Sequence, residues 1–249
     1  MTRSNFPSAT VQNSVEALMW GAKSGNAYEV TVERLSAAIK MGLYRSGDQL
    51  PNERDLAEIM GVSRTTLREA IRVLVAQGFL SVKRGRTGGT FVTAALTLPS
   101  VRELKQRLIE SGTTLNDILD HRLIVEPGVA ELAAQRANRG QIDAMQTLID
   151  RMSEVADQFG EHRCLDTEFH LSIARATQSD RLASMVAGIH AELSDLLAVI
   201  PHSSAACLDS ALQHQAILDA IATERSDLAR QLMSDHITRT NRLLNGLLG

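Results

Sequence analysis

Three histidines and one aspartate in the second half of this chain have the residue types and spacing of a metal site. Asp166 and His170 are four residues apart beside Leu165, Phe169 and Ile173, so on a helix both side chains can converge on one point within an apolar surrounding. His214 shares a face with Ala211, Ile217, Leu218 and Ile221, and His236 lies near Ala229, Leu232, Met233 and Leu243. Buried imidazoles need hydrogen-bond partners. Two arrangements meet that need: each histidine satisfied separately inside a core, or one divalent cation held by three neutral nitrogens and a carboxylate.

A second constellation is basic. Arg64, Arg68, Arg72, Lys83, Arg84 and Arg86 crowd into residues 64–86, opposed by Glu69 alone. Arg64 and Arg68 share one helical face, while Leu67, Ile71, Leu74 and Val75 occupy another suited to a core. An arginine can fork onto guanine O6 and N7, and Ser63, Thr65 and Thr66 suit phosphates or single base contacts. Such a helix can pack and read a major groove at once.

The elements that must position these groups follow from periodicity and turn residues. Val30, Leu35, Ala38, Ile39 and Leu43 predict a helix ending near Tyr44-Arg45-Ser46-Gly47-Asp48. Glu53 to Met60 and Arg64 to Gln77 predict two short helices joined by Gly61-Val62-Ser63, with Ser63 as the N-cap of the second. Residues 79–82 and 90–93 read as two strands around a basic, glycine-rich loop, a small wing. Pro99 and the absence of periodicity mark 94–100 as a linker. Helices are expected at about 101–111, 114–138, 140–158, 161–176, 179–200, 205–222 and 226–246, joined by loops short enough for an antiparallel bundle. Pro127 removes a hydrogen bond from the second of these, so a kink is expected there. The expected organisation is a flexible tail at 1–27, a DNA-binding unit at 28–93, the linker, and a helical unit at 101–249 that carries the candidate metal ligands.

Composition supports a mainly α protein. With five Phe, two Tyr and one Trp among 249 residues, the core must be built from aliphatic residues that favour helices. Charge is split: residues 1–93 carry 12 Lys and Arg against 8 Asp and Glu, and residues 94–249 carry 14 against 21. Cys164 and Cys207 fit no Cys-x-x-Cys pattern and read as reduced packing thiols. No membrane span or secretion signal is evident, so a cytoplasmic protein is expected.

The runs from Gly47 to Ala57 (Gly-Asp-Gln-Leu-Pro-Asn-Glu-Arg-Asp-Leu-Ala), from Gly61 to Ala70, from Leu74 to Phe79 and from Gly89 to Val92 closely resemble the winged helix-turn-helix of GntR-family transcription regulators. The resemblance implies that Arg54, Arg64 and Arg68 contact double-stranded DNA, that Thr65 assists, and that Gly89 lies at the wing tip in the minor groove; Arg84 and Arg86 of the basic wing are further candidate DNA contacts. Arg122-Leu-Ile-Val-Glu126-Pro127, Ala133-Ala134, Asp166-Thr-Glu-Phe169-His170, His214-Gln-Ala-Ile217 and Met233-Ser-Asp-His236-Ile237 are similar to the FCD effector domain of the FadR-type subgroup. It implies that Asp166, His170, His214 and His236 hold a divalent ion, often zinc or nickel, and that Arg122 faces a ligand cavity. His121, His162, His190 and His202 match no ligand position and are expected at the surface or behind the ligands.

Arg122 has two readings: an i, i+4 salt bridge to Glu126, or a fork for a carboxylate ligand. The expectation is a homodimeric, ligand-responsive regulator, a repressor of a palindromic operator, whose effector is a sugar acid or hydroxy acid held between metal and Arg122. The rival, a metal-dependent hydrolase on a DNA-binding head, lacks His-Glu-x-x-His or another base-bearing motif.

Overall fold

Asn52 and Ser63 start the two short helices by capping. Asn52 accepts hydrogen bonds from the amides of Arg54 and Asp55, and Ser63 Oγ accepts one from Thr66 at 3.1 Å. The computed structural model describes residues 27–85, 88–93 and 99–249. The expected tail therefore lies outside the described residues except for Ala27, as do Arg86 and residues 94–98 of the expected linker. The chain divides into two units, Met1–Thr97 and Leu98–Gly249.

The first unit contains α1 (Ala27–Lys40), α2 (Glu53–Met60), α3 (Arg64–Ala76), β1 (Leu80–Lys83) and β2 (Gly89–Val92). α1 packs on α3, and Leu35, Ala38, Leu56, Leu67, Ala70 and Leu74 close the core between them. Gly61 ends α2 at φ +63°, a left-handed conformation that glycine adopts without a Cβ clash. Past α3, Gly78 at φ +81° lets the Phe79 amide reach back to the Leu74 carbonyl. The strands pair antiparallel, Leu80 opposite Val92 and Lys83 opposite Gly89, one residue from the expected bounds. The chain before α2 joins them: Leu50 donates to the Thr90 carbonyl and Val92 to that of Asp48.

The second unit is a bundle of α4 (Val101–Ser111), α5 (Leu115–Arg136), α6 (Arg139–Glu154), α7 (Phe159–Ala176), α8 (Asp180–Leu197), α9 (Ser204–Ala222) and α10 (Ser226–Leu248). Ser100 with Glu103, Thr114 with Asp117, and Asn138 with Gln141 form reciprocal capping boxes at the starts of α4, α5 and α6. α5 packs against α7, α8, α9 and α10, and it continues without a break through Pro127. α6 stops at Glu154, four residues before its expected end. Leu104, Leu119, Ile189, Leu193, Leu244 and Leu248 form the apolar cluster at one end of the bundle. No described helix is long and apolar enough to cross a membrane.

Candidate functional site

Three helices bring the expected ligands together. α7 carries Asp166 and His170 one turn apart, α9 supplies His214 and α10 supplies His236. One ligand atom from each lies within 4.8 Å of every other. His214 Nε2 is 3.6 Å from Asp166 Oδ1 and 3.3 Å from His236 Nε2, and the His170 ring centre is 5.3 Å from each of the other two. The three imidazoles are buried, and Asp166 keeps 18% of its side-chain surface exposed.

The electrostatics suit a cation. Burial, the largest influence on His214, drives its pKa down to about 3 against the pull of Asp166, and His236 is likewise held well below its ordinary value. Burial opposes ionisation of Asp166 too, yet His214, His170 and His236 around it hold its carboxyl below the usual range. His214 and His236 therefore offer neutral nitrogens beside a carboxylate. His170 Nε2 and His214 Nδ1 are buried with no hydrogen-bond partner among the described residues. Orphaned nitrogens and closely apposed ring atoms fit a divalent ion, whose chemistry there would be Lewis-acid attraction for oxygen ligands.

A second cluster shares His170. Glu126 Oε2 is 2.5 Å from His170 Nδ1, and Glu126 Oε1 is 3.2 Å from His190 Nε2. Arg122 Nε donates to the same Oε1 at 2.8 Å. These carboxylate, imidazole and guanidinium groups are all buried. Although Glu126, His170 and His190 also lie within ligand distance of one another, the Arg122 cation already serves that carboxylate. Glu126 thus stands behind His170, on the Nδ1 side of its ring, where it would orient the imidazole if the four-residue cluster held an ion.

The structure shows the salt bridge of Arg122 to Glu126. Its Nε edge is taken by that carboxylate, while Nη1 is buried with no hydrogen-bond partner among the described residues. Arg122 also lines a cavity of about 130 Å³ with Asp166, His236, His162, Ser210 and Thr240.

Among the histidines without an assigned ligand role, His190 is buried against His170, with ring centres 4.9 Å apart. His162 is buried 3.1 Å from the Cys207 carbonyl, His202 lies 3.0 Å from that of Ala156, and His121 is exposed. His190 thus lies behind a candidate ligand, one of the two positions expected for it. Its place among Val186, Ala187, Ile189 and Leu193 was the available signal.

In the first unit Arg54, Ser63, Arg64, Thr65, Arg68 and Arg84 are exposed, Thr66 is half-buried, and Arg86 lies outside the described residues. Arg68 Nε donates to Glu53 Oε2 at 2.7 Å, and Arg54 Nε to Asp55 Oδ1 at 3.1 Å. Gly89 opens β2 opposite Lys83, and a Cβ there would collide with the Gln49 amide that donates to the Gly88 carbonyl. Val75, expected on the core face, is 38% exposed, one residue before the end of α3.

Residues 27–92 match the model of the bacterial regulatory proteins of the gntR family, and residues 117–239 match the FCD domain. The chain belongs to the GntR family of transcription regulators. The Uxu operon regulator of Haemophilus influenzae is 30% identical over 212 residues, covering 82% of this chain and 76% of its own. An Escherichia coli relative named for the L-lactate dehydrogenase operon is 32% identical over 218 residues, covering 83% of this chain and 81% of its own. The solved structure of Escherichia coli McbR/YncC, 16% identical, superposes with a TM-score of 0.56 over 91% of this chain and all of that one, which shows the fold. The family and these names are those of regulators rather than enzymes, and none supports a hydrolase. This GntR regulator thus joins a DNA-binding head to an FCD domain.

Proposed function

We propose that this GntR regulator is a homodimeric repressor that binds a palindromic operator in the cytoplasm and responds to a small carboxylate. The observation that carries the reading is one cavity lined by Asp166 and His236, which belong to the four-residue ligand cluster, and by Arg122, whose Nη1 lacks a partner. Asp166, His170, His214 and His236 hold a divalent ion, zinc or alternatively nickel. The effector is a hydroxy acid or sugar acid, bridging the ion and the Arg122 guanidinium with its oxygens. The name of the Escherichia coli relative, taken from an L-lactate dehydrogenase operon, supports a hydroxy acid.

On DNA, Arg64 and Arg68 read base edges, with Arg54, Ser63, Thr65, Thr66, Arg84, Arg86 and Gly89 on the backbone or in the wing contact. One head offers few contacts, so two heads on two half-sites supply the affinity. Control requires that the effector bind two arrangements of the dimer unequally.

The test is a fluorescence-anisotropy titration of operator DNA with and without candidate hydroxy acids and sugar acids. Arg122→Lys is the informative variant, because Arg122→Ala would also strip Glu126 of its closest cation. It keeps a charge beside Glu126 but loses the fork, so DNA affinity should stay near wild type while the response to the acid is lost. A full response in Arg122→Lys would overturn this placement of the ligand.

A further inference from the structure

We propose that Gln213, held by Asp209, is a positioning residue that fixes the tautomer of His236 and thereby sets the affinity of the bundle for its cation; this rests on the metal reading above. A hydrogen-bonded chain runs from the ligand cluster to the surface. His236 Nδ1 is 3.0 Å from Gln213 Oε1, Gln213 Nε2 donates to Asp209 Oδ2 at 2.6 Å, and Arg239 Nη1 donates to that same oxygen at 3.3 Å.

The outer links determine the inner one. An ionised carboxylate only accepts, so Asp209 must take the amide nitrogen of Gln213, which turns Oε1 toward His236. An amide oxygen also only accepts, so the proton of the neutral imidazole sits on Nδ1. His236 Nε2 is then left with its lone pair, and that is the nitrogen 3.3 Å from His214 Nε2.

The alternative tautomer would put the proton on His236 Nε2 and donate it to His214 Nε2. In the metal-free protein that bond is a competitor, and it would have to be surrendered before an ion could bind. Gln213 removes that donor by holding His236 with its Nε2 lone pair available, the form a cation needs before it arrives; the reverse bond, from a proton on His214 Nε2, is left to the tautomer of His214. Its own neighbour in sequence, His214, has no such support, since His214 Nδ1 is buried without a partner. Gln213 thus sits on α9 next to one ligand and serves another on α10.

Co2+ titrations monitored by the visible absorption band, with Zn2+ competition, measure the affinity, and long-range 1H–15N spectra of histidine-labelled metal-free protein report the tautomer. Gln213→Leu and Gln213→Ala should each weaken Co2+ and Zn2+ binding by roughly 10- to 100-fold and move His236 toward the Nε2-protonated form. The double variant Asp209→Asn/Gln213→Glu exchanges donor and acceptor but still presents an oxygen to His236, and should restore both readouts. Wild-type affinity and an unchanged tautomer in the truncated variants would overturn the proposal, as would a folded double variant no better than the single ones. Wild-type protein that binds neither metal would overturn the metal reading itself, a result distinct because it precedes any variant.

Discussion

Glu126 is the residue on which the buried polar groups of the bundle depend, since Arg122, His170 and His190 all approach its carboxylate. Burial works against its charge, but Arg122 and the two histidines hold its pKa well below the ordinary range, so it stays ionised. Glu126→Gln would leave the Arg122 cation buried without a counter-charge. The expected loss is about 3–5 kcal/mol of stability, measured by urea denaturation of metal-free protein. The histidines add a pH dependence. In metal-free protein His214 titrates at about 3 and His236 also well below its ordinary value, whereas in the unfolded chain both titrate near the usual ~6.5. The unfolded state therefore binds more protons below that pH, and stability should fall as the pH drops from 7.5 to 5.5, by up to about 1.4 kcal/mol per unit for each such imidazole. Thermal melts across that range check the sign. The Asp166 and His170 pair was legible because i, i+4 spacing within one helix needs no tertiary knowledge. The contact between His190 and Glu126 was not, because it depends on how α8 and α5 register against each other.

At the scale of elements, the sequence was most readable where caps and breakers do local work. Ser63 starts α3 through its hydroxyl, and Ser63→Ala should cost about 1 kcal/mol of stability, seen as a lower denaturation midpoint. The same change should weaken operator binding if the hydroxyl also meets a phosphate. The wing was legible as a hairpin, but its third partner was not: residues 48–50 pair with β2 across a separation of about 40 residues, beyond any local pattern. A Cβ at Gly89 would meet the end of the Gln49 side chain, which would have to swing aside and give up its bond to the Gly88 carbonyl. The early end of α6 has a comparable cause. Val155 leaves helical geometry, and the Gln158 amide turns back onto the Val155 carbonyl in a tight link to α7.

For the whole molecule, the split of charge between residues 1–93 and 94–249 runs close to the division into two units. The proposed ion should act on the second unit as a ligand that binds only the folded state. Chelation should lower the melting temperature by roughly 5–10 °C when the metal had been near 100 times its dissociation constant, and Zn2+ should restore it. Differential scanning calorimetry before and after chelation checks this. The ligand positions carry one more consequence. Asp166 and His236 close a loop of about 70 residues, and α8 lies inside that loop without supplying a ligand from the four-residue cluster. The ion would thus act as a clasp around α8, so the backbone amides of Asp180–Leu197 should exchange with deuterium more slowly once metal is bound, although none of them belongs to a ligand.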